Sequence, residues 1–237
     1  MLEDIKTKSF RQDLHFILDK IKDKKHFAFS KYADGEFKIL KNEPITNCDN
    51  WTFSPEKHKD EQKLLMDSFL YNHENYIVGI SCPCCQPISD VQWMKGKVKT
   101  NNVTWANLLV NGNYNFFKSN FFPEFDNWNG KVTLVANQIG LYKNMPFKVD
   151  SFVPIKIGSW QKPEVFDITK KLKTQAIEQD DQLFLFSGGP LGNILAHQLH
   201  VENKNNTYLD IGSTINPWIV GENRGYLSNN QNKICIW

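Results

Sequence analysis

The sequence predicts an α/β fold, Rossmann-like, with a mostly parallel sheet covered by helices on both faces. Three observations predict it. Short apolar or β-branched runs recur along the chain, segments of helical period fall between them, and two of the runs end in glycine-bearing turns. The 237 residues are enough for one sizeable core, and a single domain over residues 1–237 is expected.

The elements follow in order. Residues 10–24 place Phe10, Leu14, Ile17, Leu18 and Ile21 on one helical face, with Ser9 as N-cap, and HFAF (26–29) then reads as a buried strand. GEFKILK, with Phe37 and Leu40 on one face, begins a second helix. SPEKHKDEQKLLMDSFLY opens a third, with Ser54 as cap and Pro55 at its first position. YIVGI (76–80) is a short β-rich run. The irregular CPCCQP follows, and then WANLLV and NYNFFKSNFF read as two helical pieces separated by Asn111-Gly112. KVTLVAN (131–137), SFVPIKI (151–157), QLFLFS (182–187) and TYLDIG (207–212) are four further strands. The helical patterns PEVFDITKKLKTQAI and PLGNILAHQLH fall among them.

Composition removes several function classes. Lys plus Arg number 28 against 26 Asp plus Glu, so the net charge of +2 argues against nucleic-acid binding, and any anion site must be local. The start, MLEDIKTKSF, is polar and acidic where a signal peptide would be basic and then apolar. No run approaches the roughly 18 apolar residues of a transmembrane segment. A soluble, cytoplasmic protein is expected, with peripheral attachment to a membrane left open. Five cysteines without an export signal are expected to be reduced. CPCCQP invites a zinc reading, but Cys48 and Cys235 are isolated and no Cys-x-x-Cys or His-x3-His partner follows, so zinc is not expected. His197 and His200 read as packed or surface histidines, and the seven scattered tryptophans as packing.

Ligands of parallel sheets bind beyond the carboxyl ends of the strands. That rule selects Lys31 to Glu36, Ser81 onward, Asn137, Ser187 to Pro190 and Asp210 to Ser213. In FLFSGGPLGNILA a strand ends in Ser187-Gly188-Gly189-Pro190 and a helix begins at once. The N–H groups and helix dipole there form a phosphate-sized cradle, although a tight turn needing positive φ accounts for the same glycines. In FSKYADGEF the carboxylates of Asp34 and Glu36 flank a glycine, so a bent backbone can aim both at one hard divalent cation. The spacing equally fits Asp34 as cap of a helix beginning at Gly35, with Glu36 in its first turn. Asp210, Gly212 and Ser213 can hydrogen-bond a ribose or sugar, or Asp210 can cap the segment that follows.

FSKYADGEF resembles the R-F-G-D-G-E-F signature of the GT-D type glycosyltransferases, in which Asp-x-Glu is the counterpart of the Asp-x-Asp metal motif of other sugar-nucleotide enzymes. TWANLLVNGNYNFF, VTLVAN, FLFSGGPLGNILAHQL and TYLDIGS are similar to later segments of that family, in the same order. The resemblance implies a Rossmann-like enzyme that moves a sugar from a nucleotide-sugar donor, UDP-linked or similar, with Mn²⁺ or Mg²⁺. It implies that Asp34 and Glu36 hold the metal and that the Ser187-Gly188-Gly189 turn lies near the donor phosphates. Three positions depart from the pattern: Lys31 stands for Arg, which loses the bidentate fork, Ala33 for Gly, and Ser213 for His.

The function expected is therefore metal-assisted transfer of a sugar to an acceptor hydroxyl on a glycan, lipid-linked or protein-linked. Asp34, Glu36 and Asp210 are the candidate catalytic residues. Lys31, Asn137, Ser187, Gly188, Gly189, Gly212 and Ser213 are candidates for binding substrate. A general base, if the reaction inverts, would come from Asp210, Glu36 or Asp90. An S-adenosylmethionine-dependent methyltransferase and a non-catalytic nucleotide-binding protein are the alternatives.

Overall fold

The computed structural model describes residues 10–138, 144–221 and 225. Helix α1 (Phe10–Lys22) leads into β1 (Ala28–Lys31) and α2 (Asp34–Leu40). A hairpin of β2 (Ile45–Thr46) and β3 (Thr52–Phe53) precedes α3 (Lys59–Leu70) and β4 (Tyr76–Ile80). Then come α4 (Ile88–Lys97), β5 (Val103–Trp105), α5 (Tyr114–Asp126), β6 (Val132–Asn137) and β7 (Ser151–Ile155). The chain continues through α6 (Glu164–Glu178), β8 (Leu183–Ser187), α7 (Pro190–Glu202), β9 (Thr207–Asp210) and the short α8 (Asn216–Ile219).

Seven strands form one sheet in the order β5-β4-β1-β9-β8-β6-β7, and every pairing in it is parallel. Parallel strands require crossovers, and the crossovers cover the sheet with helices. In one group α1 packs on α5, and in the other α7 packs on α3 and α6 while α2 packs on α3. The core strands are closed to solvent: Val132 to Ala136 and Leu183 to Phe186 are all buried. The continuous apolar runs of β6 and β8 follow from that double coverage. Among the described residues, no helix is long and apolar enough to cross a membrane.

Several elements differ from the sequence reading. The first strand is shifted two residues toward the acidic turn, because Ala28 and not His26 is the first to pair with β4. Helix α3 starts at Lys59 and not at Pro55. Ser54 donates its N–H to His58 Nδ1 at 2.9 Å and its carbonyl accepts from Lys57 and His58, so residues 54–58 form a separate turn. WANLLV is not helical: Trp105 ends the edge strand β5, whose register with Val78 to Ile80 overrides the apolar spacing. Helix α4 and the β2–β3 hairpin have no counterpart in the sequence reading.

Candidate functional site

The chain begins its sheet with β1, builds one half as β1-β4-β5, then builds the other half and returns through β8 and β9 to β1. The first and last strands of the sheet are therefore neighbours, with Ala28 beside Tyr208 and Phe29 beside Leu209. Strand order reverses at that seam, which is where parallel sheets open a crevice past their carboxyl ends.

From β1 the chain turns directly into α2. Glu36, the third residue of that helix, reaches back to accept the N–H of Ala33 at 3.1 Å, one half of a capping box. Ala33 has no side-chain acceptor with which to return the bond. The cap position is thus Ala33, not Asp34. Asp34 is the first helical residue and is exposed, its charge near the positive end of the helix. Glu36 is 7 % exposed.

Across the seam, Asp210 ends β9 and is 2 % exposed. Its Oδ1 accepts the Gly212 N–H at 3.0 Å, and the Lys31 N–H also bonds it. The Lys31 side chain lies over Gly212, where an added Cβ would come within 2.5 Å of Nζ, and Gly212 has φ of +52°. Only glycine suits both the space and the backbone at that point. The start of α7 closes on the same group. Asn193 Nδ2 donates to Ser30 Oγ at 3.0 Å and to the Lys31 carbonyl at 2.6 Å, tying segments 163 and 162 positions apart. Asn193 is fully buried, and among the described residues its Oδ1 has no hydrogen-bond partner.

The glycine turn meets the acidic turn through one tryptophan. Gly189 has φ of +55° and directly precedes Pro190, the first residue of α7. A Cβ on Gly189 would lie 3.2 Å from Trp51 Nε1, and one on Gly35 would lie 2.7 Å from Cζ2 of the same indole. Trp51 sits at the closing turn of the β2–β3 hairpin, where the Asn47 N–H donates to its carbonyl at 2.9 Å. The positive φ expected of the glycine turn and the open helix N-terminus coexist here.

Burial sets the charges. Desolvation pushes the Glu36 carboxyl up to about 7; the Lys31 ammonium opposes the shift, and Asp210 and then Asp34 add to it. Asp210 is likewise raised by burial, against the pull of Lys31 and of the Gly212 and Lys31 N–H groups. Two buried carboxyls thus share one lysine, while Asp34, Ser187, Gly188, Gly189 and Ser213 are not buried. Ser213 belongs to the short 3-10 turn Gly212–Ile215. Asn137 ends β6 beside Ile155, with β8 between it and β9, so it shares the sheet edge but stands apart from the cluster. Asp90 lies in the first turn of α4 and acts on Lys38.

Three participants were not found in the sequence: Ser30, Trp51 and Asn193. A polar residue inside the apolar PLGNILA segment is a signal for Asn193, whereas Trp51 carries none. A cavity of about 460 Å³ opens beside the hairpin, with Ile45, Thr46, Phe53, Lys57 and His58 in its lining. Its Phe53 and His58 pack on Trp160, which packs in turn on Trp51 with ring centroids 5.8 Å apart.

Among the described residues, three metal-ligating side chains gather within 4.8 Å only at cysteines, so the acidic turn does not offer a complete cage. Mg²⁺ and Mn²⁺ sites at phosphates normally use only one or two carboxylates and complete the shell with water and phosphate oxygens. Exposed Asp34 and the buried Glu36 carboxyl, which feel each other's charge, would supply the one or two carboxylates that such an ion uses.

No protein-family model matches this chain, and no curated protein matches it in sequence. Solved structures do match in shape. A structure described as a new glycosyltransferase (DUF1792) from Streptococcus sanguinis superposes with a TM-score of 0.62 at 14 % identity, over 87 % of this chain and 81 % of that one. Two further structures of domain of unknown function 1792, one described as having a distinct glycosyltransferase fold, give TM-scores of 0.56 at 13 % identity. Each of these covers 85 % of this chain and 77 % of its own. The chain has the fold of these structures, the GT-D type that the FSKYADGEF signature implied.

Proposed function

We propose that the protein transfers a sugar from a nucleotide-sugar donor, UDP-linked, to an acceptor hydroxyl with the help of Mn²⁺ or Mg²⁺. The observation that carries this reading is the meeting of the acidic turn after β1 with the glycine turn after β8 on the Trp51 indole, at the seam where strand order reverses. The fold shared with glycosyltransferase structures supports it.

In this reading the N–H groups of Gly188 and Gly189, with the dipole of α7, receive the donor diphosphate. Lys31 adds a positive charge that its position over Gly212 and its carboxylate neighbours keep in place. Asp210 is a positioning residue: it binds the Gly212 and Lys31 N–H groups and so holds the two sides of the seam together. Asp34 and Glu36 would hold the cation, which supplies neutralisation of the charge that grows on the departing nucleoside diphosphate. Ser187, Gly212 and Ser213 line the side of the seam nearest β9, where the ribose or sugar hydroxyls would find partners. The acceptor is a hydroxyl of a glycan, lipid-linked or protein-linked.

The test is release of nucleoside diphosphate from a panel of nucleotide sugars, with and without Mn²⁺. Turnover should require the metal and fall about 100-fold or more in Asp34→Ala and Glu36→Ala. Unchanged turnover in both variants removes the metal proposal. Nucleotide binding without turnover would favour the non-catalytic reading, and binding of S-adenosylmethionine in place of UDP the methyltransferase.

A further inference from the structure

The carboxyl end of β4 runs into Ser81-Cys82-Pro83-Cys84-Cys85-Gln86-Pro87. The N–H groups of Cys85 and Gln86 both donate to the Cys82 carbonyl at 3.0 Å, which folds the segment into a tight turn. That turn brings the Sγ atoms of Cys82, Cys84 and Cys85 within 4.8 Å of one another, with Cys82 buried and the other two exposed. Cys82 Sγ and Cys84 Sγ lie 3.0 Å apart. Two amides from the segment after β5 point at the cluster: Asn107 Nδ2 donates to Cys82 Sγ at 3.7 Å and Asn111 Nδ2 to Cys85 Sγ at 3.8 Å. N–H donors stabilise sulfur in its thiolate form, and such outer partners orient metal ligands.

We propose that Cys82, Cys84 and Cys85 form a three-thiolate site for a soft closed-shell cation, Zn²⁺, with Asn107 and Asn111 as its outer hydrogen-bond donors. Zinc–sulfur bonds of about 2.3 Å put the sulfurs of a tetrahedral site about 3.8 Å apart, inside the present spread, so binding asks only for small side-chain rotations. Among the described residues no fourth His, Cys, Asp or Glu joins the group. The sequence disfavoured zinc because it lacks paired Cys-x-x-Cys motifs, but a Cys-x-Cys-Cys turn needs no second motif to supply three donors. Thiolates select zinc whereas the carboxylates of the acidic turn select Mg²⁺ or Mn²⁺, so the two ions do not compete for one site. The turn is also coupled to the seam, since the Ser81 hydroxyl donates to the Tyr32 carbonyl at 3.2 Å, one residue before Ala33. Zinc would brace that side of the seam, and the inference does not depend on glycosyl transfer.

The experiment titrates the reduced, chelator-treated full chain with Co²⁺ as a spectroscopic stand-in and follows the ultraviolet thiolate-to-metal band, with Zn²⁺ then added in competition. The band should saturate at one equivalent, release protons, and be displaced by Zn²⁺. Cys84→Ser and Cys85→Ser, at exposed positions, should each weaken binding by more than about 100-fold, and Asn111→Ala by about 10-fold. Cys48→Ser should change nothing. Circular dichroism of each variant separates lost ligands from lost fold. No band at one equivalent, a band that survives both Cys84→Ser and Cys85→Ser, or one abolished by Cys48→Ser overturns the proposal.

Discussion

The two ends of helix α7 bury polar groups in opposite ways. At its start, Asn193 binds Ser30 and the Lys31 carbonyl, and the carboxyls of Glu36 and Asp210 lie close to Lys31 and to backbone N–H groups. Toward its end, His197 and His200 lie among the rings of Tyr71, Tyr76 and His73, and among the described residues neither ring nitrogen of His200 has a hydrogen-bond partner. Burial lowers His197 to about 4 and His200 to about 3, and it raises Glu36 to about 7. Desolvation is the largest cause in all three. What separates the two ends is the company: rings leave a group neutral and inert, whereas a lysine and N–H dipoles keep charge available at the sheet edge. A titratable group marks a functional site only when its partners can respond to a ligand.

The largest effect that sharpens this contrast is on turnover. Lys31→Met should lower it by about 100-fold or more, while His200→Phe should leave it unchanged, as measured by nucleoside diphosphate release. Equal losses would erase the distinction between the ends.

Stability against pH comes next. Unfolded imidazoles titrate near 6.5 and the folded ones near 4 and 3, so the contribution of His197 and His200 is complete above pH 6.5 and is lost as pH falls below it. At pH 5 each should cost about 2 kcal/mol. Glu36 has the opposite sign: its folded value near 7 exceeds the ordinary 4.5, so in metal-free protein stability rises as pH falls from 7 toward 4.5. Urea unfolding at pH 7.5 and 5.0 checks both. His197→Phe/His200→Phe should abolish the acid loss, and Glu36→Gln should deepen it relative to wild type.

Hydrogen bonding gives the third comparison. Asn193→Leu removes the donor to the Ser30 hydroxyl and to the Lys31 carbonyl and should cost about 2 kcal/mol, whereas His200→Phe removes no hydrogen bond found among the described residues and should be neutral or stabilising. The smallest effects concern glycine. Gly189→Ala, at φ of +55° beside Trp51, should cost about 1–2 kcal/mol. Gly96→Ala, within α4 with nothing near its missing Cβ, should stabilise by about 0.5–1 kcal/mol. Thermal unfolding distinguishes the two signs.

Much of this architecture was legible in the residues. The buried runs of β6 and β8 and the periodic faces of α1, α6 and α7 declare themselves, because burial on one or both sides dictates composition directly. β5 did not, since three residues at a sheet edge carry too little pattern to outweigh the helical spacing of WANLLV. The α3 start was hidden by the His58 side chain, which accepts from Ser54 and delays the helix. Within the site, Asp34, Glu36, Gly189 and Asp210 could be selected because strand ends and glycine turns are local signals. Trp51 and Asn193 act through contacts with residues distant in sequence, which no local pattern encodes. The three cysteines were visible as a motif, but their convergence depends on a turn that only the backbone discloses.

The central claim, that the acidic and glycine turns serve one diphosphate and its cation, is tested most directly by calorimetry of UDP binding with and without Mn²⁺. Wild type should bind UDP more tightly when Mn²⁺ is present, and Asp34→Ala/Glu36→Ala should lose that gain while keeping the metal-independent part. UDP affinity indifferent to Mn²⁺ in wild type, or a gain that persists in the double variant, would contradict the account.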